Sequence, residues 1–362
     1  MSTIPHGTTR LADLDEAWRT TGNGPRLRAV RTAAERLRAG FASGPRVVAV
    51  RTLPLTTLPY PTRYAFNGAA LSPAPFVTMT HRCVLVQFLQ HGALKILLFN
   101  PTDIEAARAT PFFAQLTAAI PKQAQALLTK QWESIETQLA RFGLTAHDID
   151  YVAFDHFHTQ DIRGLLGTDG AGGRSPRFPN ATLLAPRAEW DDWDDLHPMQ
   201  RAWFVRDGKL GARTDNVILT DGDLRLGDGV LLMRTPGHTS GNQTLMISTQ
   251  SGVWGISENG TSADNWSPID SKIAGVASYA RRYDVDIVIN SNTPESGATQ
   301  YISMVLERTL VDRVARAPAF VQMFPSSEVT PSLLAPGLKP TLLHRAISSG
   351  DIAKTARAAA AE

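Results

Sequence analysis

The segment DIDYVAFDHFH, residues 148–158, constrains the fold most strongly, because an apolar run ends in two histidines one residue apart. Such a run is typical of a buried strand, and side chains two residues apart on extended backbone point the same way. We therefore expect the imidazoles of His156 and His158 to face one point at the end of that strand. Converging imidazoles are suited to binding a divalent metal.

Three further polar residues follow strand-like runs. His238 lies in a Pro-Gly turn, RTPGHTSGN, after the run VLLM; Glu258 follows GVWGIS; and Asn292 follows VDIVIN. Loops at strand ends commonly carry binding and catalytic residues on a rigid scaffold. The pattern predicts that three histidines and one carboxylate converge, a ligand set that suits Zn, Fe or Mn.

The order of apolar runs predicts the fold class. β-rich runs separated by Pro, Gly and Asn precede a helical pattern, and the second half repeats this plan. We expect one helix over residues 122–143 and a strand at VDIVIN, residues 285–290. Two rounds of strands and helices predict an α+β protein with two packed sheets and helices outside.

Changes in sequence character suggest three regions. Residues 1–45 are a predicted N-terminal helical extension, residues 46–317 form the main domain, and residues 318–362 form a Pro-punctuated C-terminal tail. The extension has an amphipathic stripe that could cover the main domain or contact a second subunit. The stripe is therefore compatible with a homodimer.

Two motifs resemble those of the metallo-β-lactamase superfamily. The segment LARFGLTAHDIDYVAFDHFH is similar to the lead-in to the H-x-H-x-D-H motif of that family, and TPGHTSGN is similar to its T-P-G-H-T-x-G. The resemblance covers roughly residues 46–310. It implies a four-layer αββα sandwich with metals bound at one edge.

The departures from that family concern its second metal site. Aligned on the histidine pair, Gln160 and Asp161 stand at the Asp and His of the family motif, Glu258 at the bridging Asp, and Asn292 at the final His. The resemblance then implies one ion, bound by the three histidines and Glu258. Zn is the expected metal, with Fe or Mn as alternatives.

The roles of two aspartates follow from their positions. Asp155 is expected to form a hydrogen bond beside the site rather than to bind the metal. Asp161 is a metal ligand, a general base or the N-cap of the next helix. Glu258 or Asp161 could orient a metal-activated water or take its proton.

Composition excludes several partners. The net charge is +2 over 362 residues, without the basic stripe of a nucleic-acid-binding protein. No segment has the roughly 18 apolar residues of a membrane span, and the single cysteine, Cys83, fits a buried apolar site. The first residues lack the apolar core of a signal peptide, so a cytoplasmic location is expected.

The leading hypothesis is a metal-dependent hydrolase of a small ester, lactone or amide. One alternative is an oxidoreductase with a single iron, which the missing second-site histidines would suit. The other is a non-catalytic binding protein with a decayed site. Metal content separates the three, since stoichiometric iron, one zinc and no metal point to different classes.

Overall fold

The computed structural model describes residues 6–120, 125, 127–170 and 172–354. In this part of the chain, most strands belong to two mixed β-sheets. The strands are β1 Thr9–Leu11, β2 Ala49–Pro61, β3 Phe76–Gln90, β4 Ala93–Phe99, β5 Lys130–Gln131, β6 Tyr151–Ala153, β7 Thr182–Pro186, β8 Val217–Thr220, β9 Asp223–Gly227, β10 Val230–Arg234, β11 Gln243–Thr249, β12 Gly252–Ser257, β13 Arg313–Val314, β14 Ala317–Val321, β15 Met323–Pro325, β16 Ser327–Thr330 and β17 Ser348–Ser349.

The first sheet has the strand order β1-β9-β10-β11-β12-β15, and the second has the order β17-β2-β3-β4-β6-β7-β8. In the second sheet, β16 also pairs with β3, and β5 pairs with β2. The helices lie outside these sheets. They are α1 Asp15–Arg19, α2 Asn23–Ala42, α3 Thr62–Ala65, α4 Ile104–Ala107, α5 Pro111–Ala119, α6 Ile135–Ala140, α7 Arg163–Leu166, α8 Arg187–Asp192, α9 Ala263–Trp266, α10 Val276–Tyr283 and α11 Gly297–Leu310, with 3₁₀ turns at Ala146–Asp148, Pro268–Asp270 and Pro294–Ser296.

The two sheets pack face to face. Val84 and Phe88 of β3 lie in one buried cluster with Leu232 and Leu245 of the opposite sheet. The neighbouring residue on β3, Cys83, belongs instead to the cluster on the outer face of its sheet. Strand β3 is therefore buried on both faces, which explains its nearly continuous apolar sequence.

Helices cover both outer faces. Helices α2 and α11 pack together over the β1-β15 sheet, in a cluster that includes Phe41 and Met246. On the other side, Leu139 of α6 and Trp193, just beyond α8, join the outer face of the second sheet. The predicted four-layer αββα architecture is confirmed.

The chain ends contribute strands to both sheets. Strand β1 pairs with β9, β15 pairs with β12 in parallel, and β16 and β17 pair with β3 and β2. These contacts place the extension and part of the tail against the sandwich. The division at residues 45 and 317 stays a prediction.

Two predicted elements differ in the structure. The single helix over residues 122–143 is wrong: residues 125, 127 and 128 are helical, but Lys130 and Gln131 form β5, and a separate helix begins at Ile135. Residues 121–124 and 126 lie outside the described part of the chain. Pairing with β2 satisfies this backbone and outweighs local helix propensity.

The predicted strand over residues 285–290 is also absent. Its backbone groups bond to α9 and to the loop before it, since Val288 donates to the Asn265 carbonyl and Asn290 to the Asn259 carbonyl. The segment still carries Asn292 to the cavity described below.

None of the helices in the described residues has the length and hydropathy of a membrane span.

Candidate metal centre

Three buried histidines meet where strands of both sheets end. His156 and His158 follow β6, and His238 follows β10. Their candidate ligand nitrogens all lie within 4.8 Å of one another, and the ring centroids are 4.6–4.9 Å apart. The strand ends before the histidine pair, but the irregular turn that follows still directs both rings to one point.

The turn that carries His238 depends on glycine. Gly237 has φ of +131°, and a Cβ there would come within 2.2 Å of the Gln300 backbone nitrogen. Any larger residue would push α11 away from the turn. Packing therefore requires glycine at position 237, and this glycine allows the turn that positions the His238 imidazole.

Asp155 orients His156. One carboxylate oxygen accepts hydrogen bonds from the His156 backbone nitrogen at 2.9 Å and from Nδ1 at 2.7 Å. The other accepts from the Asn100 side chain at 2.8 Å. The interpretation of Asp155 as a hydrogen-bonding neighbour agrees with this geometry, and it leaves Nε2 of His156 available to a metal.

Gln200 orients His158. Its side-chain carbonyl accepts from Nε2 of His158 at 2.5 Å, and its amide nitrogen lies 3.4 Å from the His238 carbonyl oxygen. This leaves Nδ1 of His158 available. The third ring is less constrained, because Nδ1 of His238 is buried without a hydrogen-bond partner.

The protonation states fit a metal ligand set. Burial and then the charge of His156 lower the pKa of both His158 and His238 well below the usual value. Burial also lowers the pKa of His156, but Asp155 outweighs it, so that this pKa is raised. His158 and His238 are therefore neutral, as a metal ligand must be, whereas His156 would release its Nε2 proton when a cation binds and keep the Nδ1 hydrogen bond to Asp155.

Glu189 ties the two histidine turns together. This buried carboxylate accepts from the Phe157 backbone nitrogen at 2.8 Å and from the Gly241 backbone nitrogen at 3.2 Å. Sequence reasoning missed Glu189, Gln200 and Asn100. Asn100 directly follows the apolar run LKILLF, whereas Glu189 and Gln200 lie in segments rich in charged and polar residues and have no such local signal.

Glu258 lies beside the histidines but outside their 4.8 Å group. The side chain and backbone of Ser327 lie beside its carboxylate and lower its pKa. Burial and then the charge of Asp155 raise its pKa to about 8, against the attraction of His156. A cation bound nearby would favour the ionised form.

The residues at the second-site positions of the family are engaged elsewhere or neutral. Gln160 donates to Thr102 Oγ1 at 3.0 Å, and Asp161 forms an ion pair with Arg163. Asn292 lines the cavity with a side-chain oxygen that is buried and unpartnered. Asp161 is not among the residues that line the cavity.

The histidines open into a cavity of about 610 Å³. One end is polar, and the rest is walled by apolar and aromatic side chains. These are Leu58, Tyr60, Met79, Ile104, Phe112, Phe113, Leu116, Ile120 and Trp203. Its volume lies in the range of small-molecule sites.

Part of the chain is similar in sequence to known lactonases. No family model matches it. An N-acyl homoserine lactonase of Bacillus cereus is 30% identical over 118 residues, 33% of this chain and 40% of that protein. One from Bacillus sp is 29% identical over 112 residues, 31% of this chain and 38% of that protein. The matched part thus spans about 40% of these relatives.

Solved structures with a similar fold are more distant in sequence. A quorum-quenching N-acyl homoserine lactone lactonase has a TM-score of 0.44 and 21% identity, over 67% of this chain and 88% of that one. A hydrolase of the beta lactamase superfamily, AbOPH, has a TM-score of 0.40 and 15% identity, over 67% and 84%. The two packed sheets with helices outside agree with the four-layer αββα sandwich predicted from the sequence.

Proposed function

We propose that this chain is a metal-dependent hydrolase of the metallo-β-lactamase fold that opens lactone rings. The observation that carries the proposal is the meeting of three imidazoles, with nitrogens within 4.8 Å, at the polar end of a 610 Å³ cavity. The sequence similarity to N-acyl homoserine lactonases supports a lactone rather than a simple ester or amide.

The proposed ligands are His156, His158, His238 and Glu258. A bound divalent metal, with Zn as the first expectation, supplies Lewis-acid polarisation of the carbonyl and a water of lowered pKa. Asp155 and Gln200 hold two of the imidazoles in the orientation that a metal needs. We further propose that the metal is a single ion.

Of the two carboxylates assigned a catalytic role, Glu258 is better placed to accept a proton. It lines the cavity and is buried, whereas the Asp161 carboxylate binds Arg163. We propose that Glu258 serves as ligand and proton acceptor and that Asp161 mainly anchors the start of α7.

The apolar wall supports a substrate with an extended apolar group. Phe112, Phe113 and Trp203 form part of it, together with aliphatic side chains of α4 and α5. Each buried methylene stabilises binding by about 0.8 kcal/mol, which corresponds to roughly fourfold. Lactones with longer acyl chains should therefore be preferred until the wall is covered.

The test measures hydrolysis and metal content on the same protein. N-acyl homoserine lactones of increasing chain length are offered beside an ester and an amide, and ring opening is followed chromatographically. We expect one metal per chain, metal-dependent ring opening, and a roughly fourfold gain in kcat/KM per methylene. Phe113→Ala should flatten that gain, and the exposed Leu333→Ala should not.

Other results point to the alternative hypotheses. Stoichiometric iron together with oxygen consumption and no ring opening would indicate the oxidoreductase. Protein that binds no metal under any loading condition would indicate a binding protein. Either result rejects the hydrolase.

A further inference from the structure

The polar end of the cavity contains a histidine that the proposed metal centre does not use. His81 lies on β3, opposite Ser327 of β16, and lines the cavity. It is not one of the three grouped ligand residues. Thr102, Gln160 and Ser327 line the cavity beside it.

These side chains form one continuous hydrogen-bonded chain. Gln160 Nε2 lies 3.0 Å from Thr102 Oγ1, which lies 2.9 Å from His81 Nε2. His81 Nδ1 in turn lies 3.0 Å from Ser327 Oγ, and Ser327 lies beside the Glu258 carboxylate, whose pKa it lowers. The chain thus connects a residue next to the histidine pair with the proposed fourth ligand.

The two ends determine the direction of every bond. The Gln160 nitrogen also donates to the His158 carbonyl at 3.2 Å, so the amide orientation is fixed and Thr102 must accept. The Thr102 hydroxyl then donates to Nε2 of His81. At the other end, Nδ1–H of His81 donates to Ser327 Oγ, which leaves the Ser327 hydroxyl proton for the Glu258 carboxylate beside it.

The ring is therefore the neutral Nδ1–H tautomer, donating towards Ser327 and accepting from Thr102. Burial lowers the pKa of His81 to about 4, in agreement with a neutral ring. A neutral imidazole is the one side chain here that can accept at one end and donate at the other over this span.

We propose that His81 is a positioning residue that holds the Glu258 carboxylate and the Gln160 side chain on opposite ends of one directed hydrogen-bond chain. This rests on the proposed function, in which Glu258 serves the metal. The chain occupies the side of the site where the amides replace the second-site ligands of the family. Fixed hydrogen bonds there restrain the carboxylate that a second cation would otherwise bridge.

The test uses full-length protein loaded with Co²⁺ or Zn²⁺ alone. Zn²⁺ affinity is measured by competition with a chelating dye, and the Co²⁺ site by visible absorption. Mutation of residues that orient metal ligands typically lowers metal affinity 10–100-fold. We therefore expect His81→Ala to weaken Zn²⁺ binding by about tenfold or more. It should also alter the Co²⁺ spectrum and lower kcat with KM nearly unchanged.

Two conservative variants test the direction of the chain. His81→Asn retains an amide N–H near the Nδ1 position and should restore most of the affinity. His81→Gln places its amide near the Nε2 position and should not. Thr80→Val is the matched control. Thr80 is the neighbour of His81 on β3, and this change removes its hydroxyl hydrogen bond to Thr57 of β2.

Several results would overturn the proposal. An unchanged spectrum and affinity in His81→Ala would do so, as would equal recovery by the Asn and Gln variants. If His81→Ala does not fold, Ser327→Ala breaks the same chain nearer Glu258 and should show the same loss. Glu258→Ala, measured in parallel, separates the hypotheses: no effect of that variant rejects the proposed ligand set as well, whereas a large effect with silent His81 and Ser327 variants rejects only the role of His81.

Discussion

The two halves of the polar end use their polar atoms differently. In the histidine half, Asp155 and Gln200 each occupy one ring nitrogen and leave the other available. In the opposite half, the Gln160 nitrogen and the Asp161 carboxylate are taken up by Thr102 and Arg163. A metal site needs lone pairs that the protein itself leaves free. The histidine half offers imidazole nitrogens, whereas the opposite half offers the unpartnered but neutral amide oxygen of Asn292.

The largest expected effect comes from removing an imidazole. His238→Ala should reduce metal content from about one ion per chain to nearly none, because two histidines without the third lose most of the affinity. Asp155→Ala should keep the stoichiometry at saturating metal while weakening affinity about 10–100-fold. Elemental analysis after dialysis measures both, and full occupancy in His238→Ala would refute the three-histidine site.

The next effect tests whether the opposite half can be converted. Gln160→Asp, Asp161→His and Asn292→His together should raise metal content from one to two, because ionic and imidazole ligands replace neutral amides. The single variant Asn292→His is the control and should stay at one. Two fully occupied ions in the unaltered protein would show that the halves are equivalent.

A smaller effect concerns the support shared by the two histidine turns. Glu189→Gln can accept from only one of the Phe157 and Gly241 backbone N–H groups. The other is left buried and unpaired, at a cost of about 1–3 kcal/mol. Urea unfolding should show this loss, with weaker metal binding. Asp191→Asn, at an exposed position of α8, should leave both unchanged. Unchanged stability and metal binding in Glu189→Gln would contradict the role of Glu189.

The smallest effect is expected at Asp161. If this residue anchors α7 through Arg163, Asp161→Asn should change kcat less than about threefold and leave metal content unchanged. A general base contributes roughly 10²–10⁴-fold. A fall of that size in kcat for Asp161→Asn would therefore assign the proton transfer to Asp161, in the opposite half of the polar end.

The layers and the histidine centre could be predicted from the sequence because they depend on local patterns. Apolar runs that end in His156, His238 and Glu258 define strands and their ends without knowledge of their partners. The failures occur where partners decide. Lys130 and Gln131 are predicted as part of a helix but pair with β2. The run before Asn292 is predicted as a strand but bonds to α9 and the loop before it.

The sequence by itself determined which residues are buried as strands and which imidazoles stand at their ends. Only the tertiary structure decided which atoms are left free around them. His81 and Ser327 are 246 residues apart, and Asn100 and Asp155 are 55 apart. Hydrogen-bond partners at such separations depend on strand order and register across two sheets, which no periodicity in a single segment encodes. For that reason His81, Glu189 and Gln200 became visible as parts of the site only in the folded chain.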